Sequence, residues 1–224
     1  MKLLEGKTAI ITGASRGIGK GIATVFAQQG ANVAFTYSTS IEAAKALDAE
    51  LQVHGTIVKG YKSNAANFND SQKLAEDVLA DFGNIDILVN NAGAAWGASF
   101  DDFPEEGWDK VMDTNVKSIF FLSQKLVDIL QASGTQSDPS RIINVGSIDG
   151  IGIPRAETYS YPASKAAVHQ LTRVLANRLA NRNINVNAIA PGPFQSNMMA
   201  HTLEEHGDEI KSSVPRGRIG MPED

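Results

Sequence analysis

Short runs of apolar and β-branched residues alternate along the chain with longer stretches in which apolar residues recur at helical spacing. The first run, at 8–12, is followed by a stretch in which Ile22, Val25 and Phe26 share one helix face and which stops at Gly30. The pattern predicts six strands, at 8–12, 32–37, 56–61, 85–90, 141–145 and 184–190. It predicts helices between them at 20–29, 41–53, 71–82, 105–130 and 159–180, with Ser40 as the N-cap of the second.

The regular alternation of strands and helices indicates parallel βαβ units, because a pair of parallel strands needs a crossover connection. Right-handed crossovers then place helices on both faces of the sheet. The segment 132–140 is rich in Ser, Gly, Gln and Pro, and we interpret it as a surface loop. We therefore predict an α/β fold with a doubly wound parallel sheet, in a single domain spanning residues 1–224.

Composition and charge exclude several kinds of chemistry. The 224 residues include no cysteine, which excludes a disulfide scaffold, a thiol nucleophile and cysteine-ligated metals. A formal net charge of -5 argues against a nucleic-acid partner. We find neither a signal peptide nor an apolar run long enough to span a membrane, so we expect a cytoplasmic protein with no membrane partner. Only His201 and His206, among four histidines, approach a ligand spacing, and we predict no metal site.

Three glycines, Gly13, Gly17 and Gly19, lie between the first predicted strand and the first helix. Glycines at such a place allow a tight turn and a close approach of the backbone to a pyrophosphate. The helix N-terminus behind them offers unpaired N–H groups to the same anion. The alternative is a glycine-rich turn without a ligand, but the strand–turn–helix context favours a dinucleotide.

The end of the second predicted strand indicates which dinucleotide is bound. A carboxylate at that place would bind a ribose 2′-hydroxyl and favour NAD, but the chain carries none before Glu42. The Arg16 guanidinium and the hydroxyls of Ser38 and Ser40 are suited to a 2′-phosphate. We therefore predict NADP(H) as the cofactor, with a solvated surface arginine as the alternative interpretation of Arg16.

Tyr161 and Lys165 are four residues apart near the start of the last predicted helix, which places them on one helix face. A nearby ammonium stabilises a phenolate and lowers the pKa of the tyrosine, which suits it to acid–base chemistry. Ser147 follows the fifth strand and joins this pair as a candidate. Tyr159 is six residues from Lys165 and is expected to point elsewhere. The alternatives are a turn serine at 147 and an ordinary amphipathic-helix residue at 161.

These motifs resemble the short-chain dehydrogenase/reductase family in type, order and spacing. The resemblance extends from the glycine loop through 90–93 and Asn115 to 191–192, and it covers nearly the whole chain. It implies a Rossmann-like fold and hydride transfer involving a nicotinamide cofactor. The cofactor-binding residues that it implies are Gly13, Ser15, Arg16, Gly17, Ile18, Gly19, Ser38, Asn64, Asn91, Ala92, Gly93, Tyr161, Lys165, Pro191, Gly192 and Ser196.

The resemblance implies a catalytic role for four residues. Tyr161 would protonate the carbonyl oxygen of a ketone, and Lys165 would lower the pKa of Tyr161 and hold the nicotinamide ribose. Ser147 would hydrogen-bond the carbonyl oxygen, where negative charge develops. Asn115 would hold a water that links Lys165 to solvent.

The chain departs from the family pattern at two places. Asn64 stands where members often have an aspartate that binds the adenine amino group, and an amide oxygen can accept the same bond. The segment 218–224 resembles the lead into a further helix and a seventh strand. We therefore expect a domain that lacks the usual C-terminal strand.

Residues 1–93 resemble most the family's 3-oxoacyl-[acyl-carrier-protein] reductases, whereas the chain from Ala94 onward is more similar to rhamnolipid-type ketoacyl reductases. Motifs at 96–97, 107–112 and 159–161 carry the second likeness. An apolar lid would suit an acyl chain, with helix packing as the alternative. Its residues are Phe194, Met198, Met199 and Leu203.

A carrier-protein partner would need a basic docking surface. The segment 131–138 has no basic residue, and Asn177 stands where the resemblance leads us to expect an arginine. This weakens the acyl-carrier protein as a partner relative to free ketones and other thioesters. The residues that would compensate are Arg155, Lys211, Arg216 and Arg218.

The leading hypothesis is an NADPH-dependent 3-oxoacyl reductase of fatty acid biosynthesis. The alternatives are a secondary-alcohol or sugar dehydrogenase of the same family and a non-catalytic NADP(H)-binding regulator. The resemblance further implies a homo-oligomer, a tetramer or a dimer.

Overall fold

The structure, a computed structural model, describes residues 2–154, 156–196, 199–222 and 224, without the side chains of His201, Thr202 and Glu205. Arg155 of the proposed basic surface, Met198 of the lid and the side chain of His201 therefore lie outside the described residues. Six strands form one sheet: β1 (Thr8–Ile11), β2 (Asn32–Tyr37), β3 (Val58–Lys62), β4 (Ile87–Asn90), β5 (Ser140–Val145) and β6 (Ile184–Ile189).

Every strand pair in this sheet is parallel, and the strand order is β3-β2-β1-β4-β5-β6. The chain therefore starts in the middle of the sheet and winds outward in two directions. The order reverses between β1 and β4, where the loops at the carboxyl edge diverge and leave a crevice for a ligand. The predicted α/β fold with a doubly wound parallel sheet is confirmed.

Seven α-helices connect or follow these strands in the described part of the chain. A π-helical turn, Asp113–Lys117, separates α4 from α5, and a 3₁₀ turn, Ile148–Gly150, follows β5. A second 3₁₀ turn, Ala180–Arg182, leads from α6 to β6. The helices are α1 (Gly17–Gln28), α2 (Ile41–Gln52), α3 (Phe68–Phe82), α4 (Glu105–Met112), α5 (Ser118–Ser133), α6 (Ser160–Leu179) and α7 (Ala200–Ser213).

The core has two layers because successive strand residues point to opposite faces of the sheet. On one face Ile10, Leu88 and Ile142 pack in a cluster with residues of α3 and α5, including Leu126. On the other face Ile11 and its neighbours in the sheet pack with residues of α1 and α2. Both faces are thus covered, and the open edge above β1, β4 and β5 is left for function.

The elements differ from the sequence predictions mainly at their ends. α1 begins at Gly17, so part of the glycine loop belongs to the helix itself. α3 begins at Phe68 because the Asn67 side chain accepts hydrogen bonds from two N–H groups of its first turn. The long helix predicted at 105–130 is divided by the π-helical turn. Ser40 occupies the N-cap position of α2, but its side chain makes no capping hydrogen bond.

Candidate active site

The loop between β1 and α1 brings the three glycines to the carboxyl edge of the sheet. Gly13 has a left-handed backbone with φ of +65°, and a Cβ there would lie 2.9 Å from the Cα of Ala92. The loop passes from Gly13 through Ser15 and Arg16 into the first turn of α1. Only glycine fits at position 13 without displacing the loop.

The first turn of α1 has the properties of an anion site. Arg16 is its N-cap, but the side chain makes no capping hydrogen bond, and the turn contains no acidic residue. The N–H groups of Gly17, Ile18 and Gly19 lie in this first turn, where an α-helix has no intrahelical acceptor for them. The donors and the positive end of the helix dipole are therefore directed toward the crevice.

A set of short hydrogen bonds holds the glycine loop against the end of β4. The Thr12 hydroxyl oxygen accepts the N–H groups of Asn91 and Ala92 at 3.0 Å each. The Asn91 amide donates to the carbonyl oxygens of Thr12 and Gly13 at 2.8 and 3.1 Å. The Gly13 N–H donates to the Thr36 hydroxyl of β2 at 2.9 Å. Three adjacent strands thus fix the loop.

The side chains predicted to select the dinucleotide lie on the exposed side of this loop. β1 and β2 are paired, so the loop after β1 starts beside the end of β2, where Ser38 lies. Arg16 and Ser38 are both exposed. Asn64, after β3, is also exposed, and its amide oxygen accepts the N–H of Ala66 at 3.2 Å. One lone pair of that oxygen remains for a further donor.

Ser147, which directly follows β5 and Gly146, is buried at 6% exposure. Its hydroxyl oxygen accepts the N–H of Asp149 at 3.1 Å, which starts the 3₁₀ turn Ile148–Gly150. Its carbonyl oxygen lies 3.0 Å from Nε2 of His169 on α6. The side chain and the backbone of Ser147 are therefore both held in place.

Tyr161 and Lys165 lie on one face of α6, as predicted. The Lys165 ammonium is 5.6 Å from the centroid of the Tyr161 ring, and it donates to the carbonyl oxygen of Val145 at 2.8 Å. Lys165 is 4% exposed, and burial lowers its pKa from 10.5 to about 8. Tyr159 points away, because its ring packs edge-on against Phe100 and Phe103.

The pKa of Tyr161 differs from the sequence expectation. Burial raises the pKa above its ordinary value of 10.0, the Ser147 hydroxyl acts in the opposite direction, and the negative charge of Asp149 raises it further. Lys165 was expected to lower this pKa, but its ammonium is directed to the Val145 carbonyl oxygen. Tyr161 is therefore a protonated hydroxyl at neutral pH, and Lys165 titrates before it.

Asn115 is fully buried in the π-helical turn. Its amide group donates to the Ala94 carbonyl oxygen and to the Ser164 hydroxyl, both at 2.9 Å, and its Oδ1 accepts the Ala94 N–H at 2.8 Å. The Ser164 hydroxyl donates to the Tyr161 carbonyl oxygen at 2.6 Å. Asn115 thus joins the loop after β4 to the first turn of the helix that carries Tyr161.

The segment after β6 closes the crevice from the other side. The Pro191 carbonyl oxygen accepts the N–H of Ile148 at 3.2 Å. A Cβ on Gly192 would lie 3.9 Å from Cδ1 of Ile148, and a Cβ on Gly17 would lie 3.8 Å from the Cβ of Ser196. An open cleft of about 560 Å³ extends from Gly17 and Ser196 to α7, where Leu203 lines it. Of the residues predicted to form a lid, Leu203 lines this cleft, whereas the Phe194 ring packs against Gly220.

Sequence reasoning missed several residues that shape this site. Ser164 lies within the motif 161–165, three residues after Tyr161, and this helical spacing could have indicated that it contacts the turn carrying Tyr161. Thr36, Ala94 and Val145 contribute a hydroxyl or backbone groups whose use depends on strand pairing. Asp149 carried no signal beyond its position two residues after Ser147.

Two further findings concern metals and membranes. Among the side chains that the structure describes, no group of three His, Asp or Glu residues is arranged to hold a metal ion. In the same part of the chain, no helix is long and apolar enough to cross a membrane.

Comparisons with known proteins place this geometry in a family. The family model described as short chain dehydrogenase matches residues 7–207. The chain is 39% identical over 223 residues to the rhamnolipids biosynthesis 3-oxoacyl-[acyl-carrier-protein] reductase of Pseudomonas aeruginosa, covering 99% of this chain and 86% of that protein. It is 36% identical over 227 residues to the 2-dehydro-3-deoxy-D-gluconate 5-dehydrogenase of Dickeya dadantii, covering 99% and 85%.

The solved structures include a similar complex. The Pseudomonas aeruginosa RhlG/NADP active-site complex superposes with a TM-score of 0.92 at 38% identity, covering 98% of this chain and 86% of that one. Fold, motif order and sequence identity agree, and the chain belongs to the short-chain dehydrogenase family.

Proposed function

We propose that this protein is an NADP(H)-dependent reductase that converts the ketone of a 3-oxoacyl thioester into a secondary alcohol. The observation that carries the proposal is the meeting of Ser147, Tyr161 and Lys165 at the carboxyl edge of the sheet, beside the glycine loop. A hydroxyl donor, a protonated phenol and a buried ammonium are the groups that a carbonyl oxygen needs when negative charge develops on it.

The residues around the glycine loop fit a dinucleotide phosphate. The first turn of α1 offers N–H groups without a capping side chain, and the left-handed Gly13 lets the backbone approach a ligand closely. Arg16 and Ser38 are exposed beside the same loop, where they would hold a 2′-phosphate. A relative whose solved structure contains NADP supports the same choice. When bound, the reduced cofactor would supply the hydride that reduces the ketone carbon.

The remaining predicted contacts extend from the glycine loop to the lid. The backbone of Asn91, Ala92 and Gly93 would pack against the nicotinamide half of the cofactor. Pro191, Gly192 and Ser196 would hold that half from the opposite side, and Asn64 would accept from the adenine amino group. Tyr161 and Lys165 would bind the ribose.

Tyr161 acts as the general acid in this proposal. Its raised pKa keeps the phenol protonated, so that it can donate to the oxygen of the reduced carbonyl group. The Ser147 hydroxyl donates to the same oxygen and orients it. The Lys165 ammonium, while charged, is proposed to stabilise the phenolate left after proton transfer, although burial and Asp149 keep the pKa of Tyr161 raised before the transfer.

Asn115 is a positioning residue in this site. Both of its amide hydrogens are used in bonds to Ala94 and Ser164, and Oδ1 retains one lone pair. A π-helical turn also leaves backbone carbonyl groups outside the regular hydrogen-bond pattern, which suits a bound water. These acceptors are compatible with the predicted water that links Lys165 to solvent, which stays a prediction.

The substrate class rests on two kinds of support. The rhamnolipids biosynthesis relative is named as a 3-oxoacyl-[acyl-carrier-protein] reductase, and the cleft beside the glycine loop includes the apolar side chains of Leu203 and Met221 alongside polar ones such as Glu204. A sugar-acid ketone is the second candidate, because a relative of nearly equal identity is a 2-dehydro-3-deoxy-D-gluconate 5-dehydrogenase. The acyl-carrier protein and a homo-oligomer remain predictions.

The test measures NADPH consumption with an acetoacetyl thioester for the wild type and two tyrosine variants. Tyr161→Phe removes the proposed acid, and we expect it to lower kcat at least about hundredfold. Tyr159→Phe is the matched control, because its hydroxyl makes only an exposed 3.3 Å bond to Glu157. A wild type that binds NADPH but reduces no ketone would show a regulator instead.

A further inference from the structure

The 3₁₀ turn that follows Ser147 carries a carboxylate, Asp149, beside the proposed acid. The Asp149 N–H donates to the Ser147 hydroxyl oxygen at 3.1 Å. The turn is pressed against α6, since a Cβ on Gly150 would lie only 2.5 Å from the carbonyl carbon of Lys165. Asp149 is therefore held in a turn that is bonded to the Ser147 hydroxyl and packed against α6, the helix that carries Tyr161 and Lys165.

No donor among the described residues neutralises the Asp149 carboxylate. The nearby Lys165 ammonium donates to Val145, and the His169 ring lies against the Ser147 carbonyl oxygen. The carboxylate is partly exposed, and burial raises its pKa. Its negative charge also raises the pKa of Tyr161, so the field of the carboxylate reaches the hydroxyl group.

The same loop carries exposed apolar side chains. Ile148 is 46% exposed and contacts the Gly192 region, while Ile151 is 75% and Ile153 98% exposed. Apolar side chains this exposed, directly after Ser147, favour an alkyl group beside the ketone. A second anion in this place would meet the uncompensated charge of Asp149 instead.

We propose that Asp149 is a specificity-determining residue that selects uncharged 3-oxoacyl groups over ketones that carry a carboxylate close to the carbonyl. The inference rests on the proposed function and narrows it, because it places thioesters and esters above free 3-oxo acids. Two like charges several ångströms apart near a protein surface repel each other enough to change kcat/KM by about tenfold.

The experiment compares a neutral ester with the corresponding carboxylate, ethyl acetoacetate and acetoacetate, and reads the effect of charge from the change in their ratio between variants. We measure kcat/KM for both with the wild type, Asp149→Asn, Asp149→Glu and the distant control Asp128→Asn, whose side chain is 91% exposed on α5. We expect the wild type to prefer the ester. Asp149→Asn should raise the relative kcat/KM for acetoacetate about tenfold, whereas Asp149→Glu and Asp128→Asn should keep the wild-type ratio.

The outcomes separate the two proposals. An unchanged substrate ratio in Asp149→Asn would overturn the specificity role, while loss of ester reduction in Tyr161→Phe would still support the reductase. A wild type that reduces neither ketone overturns the specificity role, and one that also fails to reduce an acetoacetyl thioester overturns both proposals. NADPH binding by Asp149→Asn, measured by fluorescence, verifies that the variant is folded.

Discussion

The glycine loop and the turn after Ser147 lie at the same edge of the sheet, but their polar groups are used differently. In the glycine loop, the Thr12 and Asn91 side chains hold the backbone in place, and the N–H groups are those proposed to bind the cofactor. In the turn after Ser147, Asp149 has no partner among the described residues, and Ile153 is 98% exposed. The first region is proposed to bind through its backbone shape, which many sequences can share. In the second, exposed side chains are proposed to determine the substrate.

The largest expected effect comes from breaking the glycine loop. Gly13→Ala places a Cβ 2.9 Å from the Cα of Ala92, so the loop must shift and lose hydrogen bonds to a phosphate. A hydrogen bond to a charged group is worth about 1.5–3 kcal/mol, so we expect the Kd for NADPH to rise about hundredfold. Titration calorimetry measures this change.

Gly55→Ala is the matched control for this variant. Gly55 has a similar φ of +76°, but nothing lies within 4 Å of its Cβ position. Alanine in the left-handed region should cost each variant about 1–2 kcal/mol of stability, and Gly13→Ala should lose more because of its contact with Ala92. Equal Kd values for NADPH in the two variants would contradict the role of the glycine loop.

A smaller effect should appear in the pH profile, because Lys165 lies where the two regions meet. Its ammonium is charged below its pKa of about 8 and neutral above it, whereas the raised pKa of Tyr161 keeps the phenol protonated throughout. For ketone reduction we therefore expect kcat/KM to fall about tenfold per pH unit above that value.

Lys165→Arg tests whether deprotonation of Lys165 causes this fall in kcat/KM at high pH. A guanidinium stays charged across the range, so the variant should be slower than the wild type but should lack the decline. A wild-type kcat/KM that stays constant up to about pH 9, or a decline that persists in Lys165→Arg, would show that Lys165 does not cause the pH dependence.

The sequence was most informative where chemistry depends on local spacing. The glycines before α1 and the pair Tyr161–Lys165 were predicted because a turn or a helix face determines what such residues can reach. The π-helical turn around Asn115 was not predicted, because one inserted residue hardly disturbs the apolar periodicity of 105–130. The wrong direction for the pKa of Tyr161 has a similar cause, since burial and the charge of Asp149 arise only from tertiary packing.

The path of hydride into the product tests the central claim most directly. Ethyl acetoacetate is incubated with the wild type and NADPH that carries deuterium on its transferable position, and the alcohol is analysed by mass spectrometry and NMR. We predict one deuterium on the new carbinol carbon, and at least about hundredfold slower formation of labelled alcohol with Tyr161→Phe. A wild type that binds NADPH and forms no labelled alcohol from this or an acetoacetyl thioester would contradict the account.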